Sequence, residues 1–282
     1  MFKILKKEVL NSSVKLLKIE APYVARKAEP GQFVMLRVSE DGERIPLTIA
    51  DYDREEGSIT IIFQEVGKTT IELGRMEEGQ EILDFAGPLG TASHFDGVTK
   101  VAVIGGGLGT AIAFPQAKKL HSLGVEVHSI AGFRNKDLII LEDQMAKVSD
   151  KLIITTDDGS NGKKGFVTDV LKSLIEEGNQ YDLVIAIGPL IMMKVVSNLT
   201  KQYGIKTIVS MNPVMIDGTG MCGGCRLTVG GKTKFACVDG PDFDGHEIDF
   251  DEAMRRQLMY KKEEKVSVDK DHECKMGGTQ NA

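Results

Sequence analysis

The chain has 282 residues, 27% of them charged and 41% hydrophobic, with a formal net charge of -6. That length accommodates two or three modest domains, each with its own core. The acidic balance argues against nucleic acid or an anionic membrane as the main partner, and no apolar run approaches the roughly 20 residues that span a bilayer. The start, MFKILKKEVLNSSVKL, alternates apolar and charged residues where a signal peptide needs an unbroken apolar core. The expected compartment is therefore the cytoplasm, where thiols stay available for metal.

In chain order, residues 3–10, 14–21, 32–38, 44–51 and 58–66 are short stretches rich in β-branched residues and set off by turn residues. Short strands with no helix between them predict a small closed β-barrel. The first helix is expected at 69–75, and 80–85 adds a sixth strand. Near residue 97 the pattern changes to a buried strand at 100–104, then glycines and a helix reaching 123. Strands follow at 125–130, 151–156, 183–187 and 206–211, alternating with helices at 142–148, 168–177 and 192–203. This alternation specifies a doubly wound α/β unit, a parallel sheet covered on both faces. The expected division is 1–96 for the barrel, 97–212 for the nucleotide-binding α/β unit, 213–250 for a cysteine segment and 251–282 for a C-terminal helix and tail. For the amphipathic run FDEAMRRQLMY, packing on this chain and docking of a partner are both open.

Residues 217–237, DGTGMCGGCRLTVGGKTKFAC, hold three of the four cysteines. Asp217, four residues, Cys222, two residues, Cys225, eleven residues and Cys237 is the spacing of a plant-type ferredoxin with Asp in place of the first Cys. Glycines here let the backbone wrap a cluster and aim N–H groups at its sulfurs. The alternative is a structural zinc site of Cys222, Cys225, Cys237 and Cys274, although Cys274 lies far downstream in a polar tail.

Two further motifs carry chemistry. The run Ile104-Gly105-Gly106-Gly107-Leu108-Gly109 sits between a strand and a helix, where a pyrophosphate can approach backbone N–H groups. Thr110 stands where a strict fingerprint has its third glycine, and a tight turn without ligand explains the stretch equally well. Pro115 is expected to bend or shorten the helix that follows. In the barrel, Arg44-Ile45-Pro46-Leu47-Thr48 and Gly67-Lys68-Thr69-Thr70 offer an arginine fork for a diphosphate, a threonine for a flavin edge and free N–H groups at a helix start. Arg44 as a solvated surface charge is the competing reading.

In this order the pieces resemble the ferredoxin reductase-like flavoproteins, in particular the branch with a C-terminal 2Fe-2S segment. The likeness spans about residues 1–260 and rests on PGQFV at 30–34, RIPLT at 44–48, GKTT at 67–70, AGPLG at 86–90, GGGLGTA at 105–111, GFRNK at 132–136, IGPLIMM at 187–193 and the cysteine loop. It implies FAD, NAD(H) and a 2Fe-2S cluster as cofactors. By the resemblance, Arg44 would meet the FAD diphosphate, Pro46 and Leu47 the isoalloxazine face and Thr48 the flavin N5 region. Phe63 would join these cofactor-binding residues, and Gly67, Lys68, Thr69 and Thr70 would hold the pyrophosphate. Gly106, Gly107, Leu108, Gly109, Gly188, Arg134, Asp157 and Asp158 would face the nicotinamide dinucleotide, the aspartate pair being as well explained as a solvated loop end. Asp217, Cys222, Cys225 and Cys237 would ligate the cluster.

Within that branch, the electron-transfer subunit of dihydroorotate dehydrogenase normally carries four cysteines. Asp217 therefore favours likeness to the small subunit of NADH-dependent ferredoxin:NADP oxidoreductase. That likeness implies an oxidoreductase subunit relaying electrons between NADH, FAD and the cluster. Its partner would be a larger flavin and iron-sulfur subunit where NADP(H) and ferredoxin react, in an electron-bifurcating assembly. No catalytic acid or base is expected, since hydride transfer to a flavin needs none. The rival expectations are a relay to a dihydroorotate-oxidising partner and a zinc-stapled module that senses NAD(H).

Overall fold

The structure, a computed structural model, describes the backbone of residues 1–277 and side chains through residue 269. Residues 2–89 supply seven strands: β1 (Phe2–Val9), β2 (Val14–Glu20), β3 (Phe33–Arg37), β4 (Ile45–Asp53), β5 (Ser58–Gln64), β6 (Glu81–Ile82) and β7 (Asp84–Leu89). They lie in the antiparallel order β6-β1-β2-β5-β4-β3-β7. β6 and β7 end opposite edges of that ladder yet are separated in the chain only by Leu83, so the sheet curls round and closes through the backbone itself. Ile59, Ile61 and Phe63 alternate inward along β5 and meet Ile4, Leu17, Ile19, Leu36 and Ile49 in one core. Full burial of each such side chain contributes about 1.5–3 kcal/mol. Two short helices, α1 (Pro22–Ala25) and α2 (Lys68–Arg75), add Val24, Ala25 and Leu73 to it.

The second unit runs β8 (Lys100–Gly106), α3 (Gly109–Ser122), β9 (Glu126–Phe133), α4 (Glu142–Lys147), β10 (Lys151–Thr156), α5 (Val167–Glu176), β11 (Leu183–Ile187), α6 (Leu190–Gln202) and β12 (Lys206–Ser210). β8 and β11 are buried on both faces, as a helix-covered parallel sheet requires. Val101, Val103, Leu183 and Ile185 pack towards α3 and α4; Ala102, Ile104, Val184 and Ala186 pack towards α5 and α6. α3 continues through Pro115 to Ser122, so the proline does not shorten it. Its buried Ala111, Ala113, Ala117 and Leu120 hold it to the sheet and offset the one missing hydrogen bond.

The rest of the chain is stitched into both units. After β12 come the cysteine loop, the hairpin β13 (Arg226–Val229) and β14 (Lys232–Phe235), α7 (Ala236–Asp239), β15 (Asp242–Asp244), α8 (Phe250–Gln257) and α9 (Lys261–Gly277). β15, which sequence patterning does not reveal, pairs antiparallel with β12 and makes the sheet six-stranded, in the order β10-β9-β8-β11-β12-β15. Phe33 and Met35 of the barrel share one core with Cys225, Leu227, Ala236 and Cys237. Among the described residues no helix is long and apolar enough to cross a membrane.

Candidate functional site

The strand order reverses between β8 and β11, and the crevice outside their carboxyl ends is where an open α/β sheet binds ligands. Gly106, Gly107, Leu108, Gly109 and Gly188 all fall there. Most of these glycines are required by the protein itself. A Cβ on Gly109 would lie 2.2 Å from the Ile187 carbonyl oxygen, one on Gly106 2.5 Å from Met192 Sδ, and one on Gly188 2.9 Å from Met192 Cε. Gly107 differs: its φ is 55° and its Cβ position faces open space beside the start of α3. That is the place for a phosphate to approach backbone N–H groups. Thr110, in the third-glycine position, packs its Cα where Gly105 leaves room.

Parallel pairing of β9 and β10 carries the remaining candidates to the same sheet edge. Asp157 N–H donates to the Phe133 carbonyl at 3.0 Å and Asp158 N–H to that of Arg134 at 3.3 Å, with all three side chains of Arg134, Asp157 and Asp158 exposed. Hydrogen bonds from Ser160 hold the Asp158 carboxyl below its usual range and turn it into its own loop. Asp157 is thus the freer carboxylate. The sequence reading missed Phe166, the residue before α5, which is 62% exposed where this loop returns to the sheet. An aromatic ring left in solvent beside a nucleotide crevice offers a face for a base; its position directly before a helix start, after a strand end, was the available signal.

On the barrel, β4 pairs with β3 so that Pro46 opposes Met35, Leu47 opposes Val34 and Thr48 opposes Phe33. Alternation divides them. Ile45 and Leu47, both half-buried, lean onto the barrel core, and Pro46 and Thr48 take the other face. Arg44 is exposed immediately before the strand. Phe63 is a clear correction: at 0% exposure inside the barrel it has no surface left for a ligand. At the start of α2, Thr70 Oγ1 accepts from the N–H groups of Val66 and Gly67, at 3.0 Å each. Thr69 is buried and Lys68 exposed, so this segment offers an anion the Lys68 side chain and the first helical N–H groups.

The cysteine loop folds into two donor pairs. Asp217 Oδ2 accepts from Cys222 N–H at 3.0 Å, while the Cys225 and Cys237 sulfurs lie 3.2 Å apart and buried. The N–H groups of Thr219 and Cys222 hold the Asp217 carboxyl low. Burial, with Cys225 beside it, pushes the Cys237 thiol up to about 12. Ligation to a metal, which deprotonates a thiol outright, would overcome that. Backbone N–H groups already face the sulfurs: Gly224 to Cys222, Cys237 to Cys225 (each 3.4 Å), and Gly220 to Cys237.

A structural zinc ion needs its ligands around one point. Among the described residues no three His, Cys, Asp or Glu groups converge so, and Cys274 lies outside the described side chains. Donors split two and two, three thiols and a carboxylate, fit a two-iron cluster instead. Gly218 brings this loop onto the barrel: its Cβ position would be 2.6 Å from Met35 Cγ and 3.1 Å from Leu89 Cδ1. Met35 is the cross-strand neighbour of Pro46. The candidate cluster loop and the candidate flavin edge are therefore separated by one side chain.

On its other side the loop leaves Met221 88% exposed beside exposed Cys222, and borders a cavity of about 230 Å³ lined by Val214, Ile216, Arg256, Met259 and Tyr260 among others. α8 packs on this chain, burying Phe250, pairing Asp251 with Lys194 at 2.7 Å and donating from Arg256 to the Gly224 carbonyl.

Residues 212–249 match the family described as the iron-sulfur cluster binding domain of dihydroorotate dehydrogenase B. The chain is 47% identical over 252 residues to a dihydroorotate dehydrogenase B (NAD(+)), electron transfer subunit homolog of Thermotoga maritima, covering 89% of each. It is 33% identical to the dihydroorotate dehydrogenase B (NAD(+)), electron transfer subunit of Fusobacterium nucleatum, covering 83% of this chain and 92% of that one. Among solved structures, a chain of an NADH-dependent reduced ferredoxin-NADP oxidoreductase superposes with a TM-score of 0.91 at 45% identity, covering 96% of this chain and 97% of the other.

Proposed function

From the premise that the chain belongs to the ferredoxin reductase-like electron-transfer subunits of the dihydroorotate dehydrogenase B type, we propose that it exchanges electrons between NADH and a larger subunit of an electron-bifurcating, NADH-dependent ferredoxin:NADP oxidoreductase. It is an NAD(H)-dependent flavin oxidoreductase subunit with FAD and an iron-sulfur cluster, and such subunits work with a larger partner. Bound FAD supplies the conversion between a two-electron hydride and single electrons.

The chain's own residues do the positioning. Pro46 and Thr48 present the outer face of β4 to the isoalloxazine, with Arg44 and the start of α2 binding the diphosphate. Gly107 admits the dinucleotide pyrophosphate, Arg134 and Asp157 address its ribose, and Asp217, Cys222, Cys225 and Cys237 hold the cluster. The observation that supports this reading is the close approach of Gly218 to Met35, the cross-strand neighbour of Pro46. Exposed Met221 and Cys222 mark the side open to the partner, and a cytoplasmic setting keeps the thiols reduced.

A second reading, a relay to a dihydroorotate-oxidising partner, is favoured by the names of the two sequence relatives. Asp217 in place of a cysteine favours the first. Purification of the native complex separates them. A large subunit carrying flavin and further clusters, reactive with NADP(H) and ferredoxin, is expected; a partner with FMN alone that oxidises dihydroorotate would overturn the bifurcating assignment.

A further inference from the structure

The segment that leaves Cys237 is tied down along residues 238–242. Thr91 donates from N to the Gly240 carbonyl at 2.7 Å and from Oγ1 to that of Val238 at 3.2 Å, and Met211 N–H donates to the Pro241 carbonyl at 2.8 Å. Asp242 ends the strap. Its Oδ2 accepts from Ser93 Oγ at 2.5 Å and from Gln116 Nε2 at 3.0 Å, and Ser210 lies beside it. One carboxylate thus joins the barrel exit, α3, β12 and the cysteine segment.

Two acceptors in this cluster are closed off from solvent without any partner: Asp242 Oδ1 and Gln116 Oε1, the second oxygens of the two groups already bonded to each other. A buried orphan acceptor is costly, and two on groups already bonded to each other have a common remedy. A proton on Oδ1 donates to Gln116 Oε1 while Gln116 Nε2–H donates to Oδ2, a closed ring of acid and amide that satisfies both.

We propose that Asp242 stands as a neutral carboxylic acid ringed with Gln116 and is a positioning residue, fixing the strap that sets Cys237 against the barrel and hence the flavin-to-cluster approach. This role rests on the relay reading; the protonation state does not. The groups facing the carboxyl are Ser93, Gln116, Ser210 and the backbone of Gly31, none of them charged, and Asp244, two residues along β15, is exposed. Burial raises its proton affinity, and the hydrogen bonds from Ser93, Ser210 and Gln116 offset only part of that. The folded chain holds this proton more tightly than the unfolded one. The ring's stability is therefore complete below the ordinary carboxylate range and lost as pH rises through the raised folded value.

The test is infrared difference spectroscopy of the full chain with its cofactors, comparing wild type with Asp242→Asn, alongside pH-dependent unfolding and the rates of flavin and cluster reduction by NADH. Asparagine reproduces the ring as an amide pair. The expected results are a protonated-carboxyl C=O band lost in Asp242→Asn, unchanged neutral-pH stability, and an alkaline stability slope that disappears. Gln116→Leu should slow cluster reduction severalfold and leave flavin reduction alone. Absence of the band, or a fall of at least about tenfold in the folded-to-unfolded ratio for Asp242→Asn, as loss of a charge-assisted hydrogen bond would give, overturns the neutral acid. Equal cluster reduction in Gln116→Leu overturns the positioning role. A wild-type flavin that NADH does not reduce sinks the relay reading and the positioning role with it; the band still decides the proton.

Discussion

Gly218 is the position where the cluster loop touches the barrel, and its replacement by alanine separates contact from backbone strain. Its φ of 75° is left-handed, a conformation that costs an L-residue about 1–2 kcal/mol. The added methyl would also lie 2.6 Å from Met35 Cγ, below any ordinary contact, and Met35 is 3% exposed with little room to yield. Overpacking of this kind costs about 1–3 kcal/mol. Gly231, in the β13–β14 turn, shares the strain without the clash, with φ 72° and nothing near its Cβ position. Gly218→Ala should therefore lose about 2–5 kcal/mol and Gly231→Ala about 1–2, read from urea unfolding at constant m. Cluster reduction after mixing with NADH should slow only in the first. Against a Met35→Ala background most of the excess should vanish, a coupling of about 1–3 kcal/mol. Equal losses at the two glycines, or an excess indifferent to Met35, would refute the packing of this loop on the flavin edge.

Phe166→Ala should raise the KM for NADH about 5- to 150-fold, the worth of one base stack, and leave reduced nicotinamide mononucleotide unaffected because it lacks the adenine; equal effects on both substrates would remove Phe166 from the site. Asp217→Cys should keep the cluster but change its spectrum and potential, since thiolate is softer and more covalent with iron than carboxylate. An identical spectrum would mean that Asp217 is no ligand. Asp182 Oδ2 accepts from Thr99 N and Oγ1 and from Lys100 N, and these bonds hold its carboxyl below the usual range. The stability they add is present above the unfolded value and lost as pH falls through the lower folded one, so Asp182→Asn should flatten the acid limb of the stability profile. Unchanged acid sensitivity would show that the bond set is irrelevant to it.

The strands of the barrel are legible because β-branched runs alternate between turns, and the parallel sheet because helix and strand periods alternate. The closure is expected from the run of short strands, but how it is made is not, since nothing local says that Leu83 splits one segment between two ladder edges. Nor is β15, three residues with two acids that become a strand only because β12 offers an open edge. The error at Phe63 has a physical cause. It lies in an unbroken apolar run, Ile61-Ile62-Phe63, where hydrophobicity cannot say which face is the interior; the fold decides it. The cysteine spacing marks one candidate ligand loop, whereas the approach of Cys225 to Cys237 at 3.2 Å emerges only in the fold. The Met35 contact joins residues far apart in sequence and carries no local trace. The glycine run carries a second requirement that its motif hides: Gly105, Gly106, Gly109 and Gly188 make room for Thr110, Met192 and Ile187.

The most direct test of the relay is an anaerobic titration of the purified chain with NADH, following flavin absorbance and cluster EPR together with iron, zinc and flavin assays. FAD and two irons per chain are predicted, with the flavin bleaching and a 2Fe-2S signal appearing as electrons pass on. Zinc without flavin, or a flavin that bleaches while the cluster stays oxidised at every ratio, would contradict it.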